Sequence, residues 1–106
     1  MVAGDITPDI VYEDDDVLAF RDINAQAPTH VLVIPKQHVS TLNDLDDEHA
    51  PLVGKMMLAA AAIAAQEGFA EQGYRTVLNC NADGGQTVFH IHLHVLGGRP
   101  MHWPPG

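Results

Sequence analysis

The sequence predicts an α+β domain: a mainly antiparallel, five-stranded sheet with one main helix and one short helix. Three observations predict it. Short β-branched and aromatic runs in the first third are separated by acidic or proline-containing turns. A central stretch carries apolar residues at helical spacing. The last third returns to period-two alternation, which gives the order β-β-β-α-β-β. At 106 residues the chain has the usual size of one domain, and 1–106 reads as a single unit. A chain this short buries a modest core, so help from a second subunit is expected.

Residues 9–13, Asp-Ile-Val-Tyr-Glu, read as a short strand, and Asp14-Asp15-Asp16 as a solvated turn. Val17 to Asp22 reads as the return strand. Ile23 to Thr29 is a loop punctuated by Pro28. His30 to Ile34 is a strong strand stopped by Pro35. Lys36 to Thr41 is a connector, and Leu42 to Asp47 is expected to hold a short helical turn. Pro51 is tolerated only in a first turn, so the main helix begins near Asp47, where Asp46, Asp47 and Glu48 suit its positive end. Leu52, Met56, Ala59 and Ile63, flanked by Val53, Met57, Ala60 and Ala64, form its apolar stripe, and Gly68 is its C-cap. Gly73 to Cys80 reads as a strand, Asn81 to Gln86 as a glycine-containing loop, and Thr87 to Leu96 as a long final strand. The tail from Arg99 to Gly106 is too rich in proline for regular structure.

Charge narrows the function. Fourteen acidic residues against five basic ones give a formal net charge of -9. That argues against nucleic acid as a partner, which needs clustered Lys and Arg, and against an anionic membrane surface. The one cysteine, Cys80, allows no internal disulfide and points to a reducing compartment. The first residues carry no basic and apolar leader pattern, and Met56 to Ala65 is too short to span a bilayer. A cytoplasmic location is expected.

Seven histidines stand out, three of them in Phe89-His90-Ile91-His92-Leu93-His94-Val95. In a strand His90, His92 and His94 share one face, while Phe89, Ile91, Leu93 and Val95 supply the face a core wants. Three imidazoles in register need partners. A plain solvent face, a metal site and catalysis on a phosphoryl group compete. Positions i and i+4 of a strand lie roughly 13 Å apart, too far for one ion to take all three rings. Histidine suits phosphoryl transfer as nucleophile and as proton donor, because its ordinary pKa lets it act in either protonation state. The loop Asp83-Gly84-Gly85-Gln86-Thr87 favours that reading, since glycine lets backbone N–H groups approach an anion closely. Asn79 adds an amide. With few cations in the chain, neutral donors and imidazole must hold a phosphate.

From Gly84 to Arg99, Gly-Gly-Gln-Thr-Val-Phe-His-Ile-His-Leu-His-Val-Leu-Gly-Gly-Arg, the sequence resembles the histidine triad (HIT) family. The tail Met101-His102-Trp103-Pro104-Pro105-Gly106 is similar to the Hint branch, the histidine triad nucleotide-binding proteins. Val11 to Asp22, Gln26 to His30 and Ile34 to His38 match as well. The resemblance implies a HIT-like fold whose sheet extends across a homodimer. It implies hydrolysis of purine nucleoside 5′-phosphoramidates and aminoacyl-adenylates, releasing AMP or GMP through a nucleotidyl-histidine intermediate, with no metal or other cofactor. By motif position His92 resembles the nucleophile. His94 resembles the imidazole on the phosphate and leaving-group side. His90 and His38 resemble the groups behind the nucleophile that orient it. Asn79, Gly85 and Thr87 match phosphate-contact positions, and Gln86 is a further expected nucleotide-binding residue. Asp22 matches the acceptor of ribose hydroxyls, with Phe20, Arg21 and Ile23 near the base. Residues 97–106, with Trp103, would reach toward the partner's site. A nucleotide-binding scaffold with little turnover and a dinucleoside polyphosphate hydrolase are the alternatives.

The sequence departs from that branch at its start. Relatives usually open with a longer segment carrying a Cys-x-x-Cys pair or an apolar run, whereas this one opens Met1-Val2-Ala3-Gly4-Asp5-Ile6. The resemblance thus implies no cysteine zinc site and a shorter base pocket. Among the other histidines, His30 is expected to be structural and His49 to be solvated. Cys80 is expected to be a small buried residue.

Overall fold

The computed structural model describes residues 9–106, so the expectations about the opening segment lie outside the described residues. Five strands form one sheet: β1 (Ile10–Glu13), β2 (Val17–Arg21), β3 (Thr29–Pro35), β4 (Arg75–Val77) and β5 (Leu93–Gly97). Their spatial order is β1-β2-β3-β5-β4, and every pairing is antiparallel. The main helix α1 (Ala50–Glu67) covers one face of the sheet. The short helix α2 (Asn81–Gly84) stands between β4 and β5.

The apolar stripe does what its spacing predicts. Met56, Ala59, Ala60, Ile63 and Ala64 are buried and meet Val17, Ala19, Val31, Val33, Ile91, Leu93 and Val95 of the sheet. The alanines let the helix lie close, and the branched residues suit the pleated surface beneath. Met57 is the exception among the stripe's flanks, at 47% exposed. The helix enters through two short 3-10 turns. Thr41 and Asp44 close the first as a capping box, and Asp46 and His49 close the second. His49 is therefore half-buried and engaged rather than solvated. Pro51 lies in the first turn of α1, and Gly68 ends it in the left-handed region at φ 88.

Two segments differ from the sequence expectation. The Asn81 to Gln86 loop contains a helical turn, and the final strand begins at Leu93, not Thr87. Between these points the backbone has partners other than a ladder. The Gln86 amide nitrogen donates to Ser40 O and Val88 O, its carbonyl accepts from Asn81 N, and Ile91 N donates to Val39 O at 2.8 Å. At the far end of β5, Gly97 lies under the Phe69 ring. A Cβ there would come within 2.5 Å of Phe69 Cδ1, so no larger residue fits without displacing the ring.

Candidate active site

Part of the candidate site lies on the face of the sheet away from α1, where ladder register places it. Phe20 pairs with Leu32, Leu32 with His94, and His94 with Val77, so these four form one row. A second row runs through His30, Leu96 and Arg75. Asp22 lies at its β2 end, with Asp22 N donating to His30 O at 2.9 Å. Asp22 Oδ2 lies 3.5 Å from His30 Nε2, and Asp22 Oδ1 accepts from Asn24 N.

The histidine run is arranged as two ring pairs. His92 and His94 stand edge to face with centroids 5.0 Å apart. Behind them His90 stacks on His38 at 5.1 Å and an interplanar angle of 10°. Backbone groups decide which nitrogens carry protons. His92 Nδ1 lies 2.9 Å from His90 O, an obligate acceptor, so Nδ1 bears the hydrogen and Nε2 keeps a lone pair. His90 Nε2 donates to Pro35 O at 2.8 Å, and its Nδ1 accepts a longer bond from Val39 N. His38 Nε2 is 3.2 Å from Ser40 Oγ.

His94 Nδ1 sits 2.8 Å from His30 Nε2. Its pKa falls to about 4, chiefly because burial disfavours the charged ring; His92 and His30 add to this, and Asp22 opposes it. Burial holds His30 below its ordinary value too, with Asp22 partly opposing. Asp22, His30 and His94 also bring one ligand atom each within 4.8 Å of the others. The two ring nitrogens in that group are at hydrogen-bond distance, closer than two ligands of one ion would sit.

Other expected residues gather around these rings. Gly85 ends α2 in the left-handed region at φ 84. Thr87 is exposed just beyond the buried Gln86, and Asn79 is half-buried on the approach to α2. Phe20 is 4% exposed and Ile23 is 75% exposed. Three expectations need correcting. The Arg21 side chain leaves β2 on the opposite face from Phe20 and pairs with Glu67 of α1 at 3.0 Å, so it does not line the His94 face. The Gln86 side chain is committed to three internal bonds, and its N–H to Asn81 O, so it braces the loop instead of presenting donors. Cys80 is half-buried, not core.

Trp103 is 82% exposed. Arg75, the first residue of β4, donates to His102 O at 2.7 Å and ties the tail to the edge strand at that point.

Leu32 and His30 were missed as site residues. Period two along β3 puts both on the face of Phe20 and His94, a signal that was available. A groove of about 440 Å³ lies elsewhere, lined by Thr29, Glu67, Phe69, Gly73 and Arg99 among others. It contains none of the rings. His90, His92 and His94 are half-buried, and His30 is buried.

The sequence model of the HIT domain matches residues 3–101. An uncharacterized HIT-like protein of Synechococcus elongatus is 56% identical over 106 residues, covering 100% of this chain and 92% of that protein. The purine nucleoside phosphoramidase of Escherichia coli is 54% identical over 101 residues, covering 95% of this chain and 85% of that enzyme. The crystal structure of a HIT family hydrolase from Legionella pneumophila superposes with a TM-score of 0.94 at 53% identity, covering 97% of this chain and 92% of that one.

Proposed function

Because the chain belongs to the HIT domain family, we propose that it hydrolyses purine nucleoside 5′-phosphoramidates and aminoacyl-adenylates. One observation carries the reading: His92 is held with Nδ1–H on a backbone carbonyl and Nε2 bare. That is the form in which an imidazole attacks phosphorus. The close phosphoramidase relative from Escherichia coli supports the choice of P–N bond.

In the proposed reaction His92 Nε2 forms a bond to phosphorus as the P–N bond breaks, and the leaving nitrogen takes up one proton. The product is a nucleotidyl-imidazolium that keeps its Nδ1–H on His90 O. Water then attacks phosphorus, the N–P bond breaks, and the nucleoside monophosphate leaves with release of one proton. The sum is phosphoramidate plus water giving nucleoside monophosphate plus amine. His94, Thr87, the Gly85 turn and Asn79 surround the nonbridging oxygens with preorganised donors. Asp22 accepts from the ribose hydroxyls, and Phe20, Leu32 and Ile23 offer the base an apolar bed. His90 and His38 hold the backbone and ring of the nucleophile from behind.

The working unit is a homodimer, and the protein acts in the cytoplasm. β4 is the edge of the sheet, and Met57 and Leu58 are exposed on the outer side of α1 at 47% and 72%. An unpaired edge strand and exposed apolar residues each invite a second copy. The tail tied to Arg75 would then carry the exposed Trp103 toward the partner's site.

The test is release of AMP from adenosine 5′-phosphoramidate by the wild type beside His92→Ala. Loss of the nucleophile should lower kcat by about 10⁴-fold or more. Near-normal turnover in the variant contradicts the assignment. Binding of AMP by a wild type that hydrolyses neither substrate class would favour a nucleotide-binding scaffold.

A further inference from the structure

The loop from Asp22 to Pro28 carries Asp22 and Ile23, yet among the described residues the hydrophobic core takes no side chain from it. Hydrogen bonds must hold it in place. They run in a line. Asn24 N donates to Asp22 Oδ1 at 2.9 Å, and Gln26 Nε2 donates to Asn24 O at 3.0 Å. Arg99 Nε and Nη2 then donate to Gln26 O at 3.3 and 3.0 Å. The first two bonds lie within the loop, and the guanidinium ties the loop to the far end of the chain. Its third nitrogen, Nη1, donates to Pro100 O at 3.0 Å, so the group is itself held by backbone on two sides.

The local backbone brings the guanidinium there. Thr29 pairs with Gly97, so the exit of the loop and the end of β5 are neighbours. Gly98 then turns in the left-handed region at φ 93, so close to Pro28 that a Cβ would come within 2.9 Å of Pro28 Cβ. The planar fork of arginine reaches two carbonyls at once, which the single ammonium of lysine cannot do in the same geometry.

We infer that Arg99 is a positioning residue for the nucleotide: it clamps Gln26 O and, through Gln26 and Asn24, sets Asp22 and Ile23 against the ribose and the base. This rests on the reading that Asp22 accepts from the ribose hydroxyls. The Arg99 donors are turned to backbone carbonyls, so Arg99 acts through Asp22 and not on the substrate itself. The nucleoside half is bound alike in substrate and transition state, so the clamp sets KM and leaves kcat nearly unchanged. A branch leaves the same loop residue toward the rings, since Gln26 N donates to His30 Nδ1 at 3.0 Å. Action along that branch would appear in kcat, which separates the two routes.

The test compares Arg99→Ala and Arg99→Lys with the wild type on adenosine 5′-phosphoramidate. Arg99→Ala should raise KM about 10-fold with kcat within about threefold. Lysine restores the charge but not the fork, so Arg99→Lys should keep KM at least about threefold above wild type. Full recovery by lysine would show that charge alone matters and would overturn the clamp. A fall in kcat at unchanged KM, or no kinetic change in either variant, would overturn it as well. Hydrogen exchange reads the clamp without turnover. The Asn24 and Gln26 amides should exchange about 10-fold faster in Arg99→Ala, while the β3 amides paired to β2 and β5 keep their wild-type rates. Unchanged exchange in the loop, or equal acceleration throughout the sheet, contradicts the inference. If the alanine variant does not fold, the lysine variant decides. If the wild type hydrolyses no phosphoramidate, the proposed function fails, while the exchange rates still decide whether Arg99 holds the loop.

Discussion

Between Thr87 and His92 the backbone finds its partners one at a time, Ile91 N in Val39 O and Val88 O in the Gln86 amide. Between Leu93 and Gly97 it is a strand paired to β3 on one side and β4 on the other. The two halves of one histidine run thus differ in what their main chain can still do. Outside the ladder, His90 O is available to accept from His92 Nδ1. Inside it, the backbone around His94 belongs to the neighbouring strands, and its ring takes its direction from a side chain, His30. Leaving the ladder costs regular pairing, and the compensation is an imidazole, His92, whose tautomer is set by the fold.

The comparison can be broken at either half. Removing the ladder half's ring by His94→Ala deletes one oriented donor, and kcat should fall about 10²- to 10³-fold while the His92 adduct still forms. A loss as large as that of His92→Ala would mean that the two rings act as one unit.

Loosening the irregular half by Gln86→Leu leaves Asn81 N, Ser40 O and Val88 O without their buried partner. The expected loss is about 2–4 kcal/mol of stability, read from chemical denaturation. Unchanged stability would show that the loop is not braced by that amide.

The smallest effect is in pH. His94 and His30 have folded pKa values below the unfolded one, for His94 about 4. The unfolded chain therefore binds more protons between the ordinary histidine range and pH 4, and stability falls as pH drops through that window. The groups facing His94 are His30, His92 and Asp22, of which only Asp22 opposes the shift. The Tm should be lower at pH 5 than at pH 7, and His94→Ala should shrink the difference. Equal Tm values at the two pH values would contradict the depressed His94 pKa.

Much of this was legible in the residues. Alternation through His90 to Val95 held because Ile91, Leu93 and Val95 are each nearly or fully buried against α1. Pro51 and Gly68 bracket the helix for local steric reasons. The start of β5 was not legible, because the bonds that end the ladder come from Val39 and Ser40, some fifty residues away. Gln86 looked like a ligand contact for the same reason: its acceptors are distant in sequence. Arg21 is different, since strand alternation already forbids it and Phe20 from sharing a face. His30 looked structural because its partner stands 64 positions further on.

The most direct test of the central claim is to quench the wild type during turnover of an adenosine phosphoramidate, without acid, and locate the adduct by peptide mass spectrometry. The account predicts one adenylyl group on His92, absent from His92→Ala. An adduct on His94, His90 or His38, or steady AMP release with no adduct at His92, would contradict it.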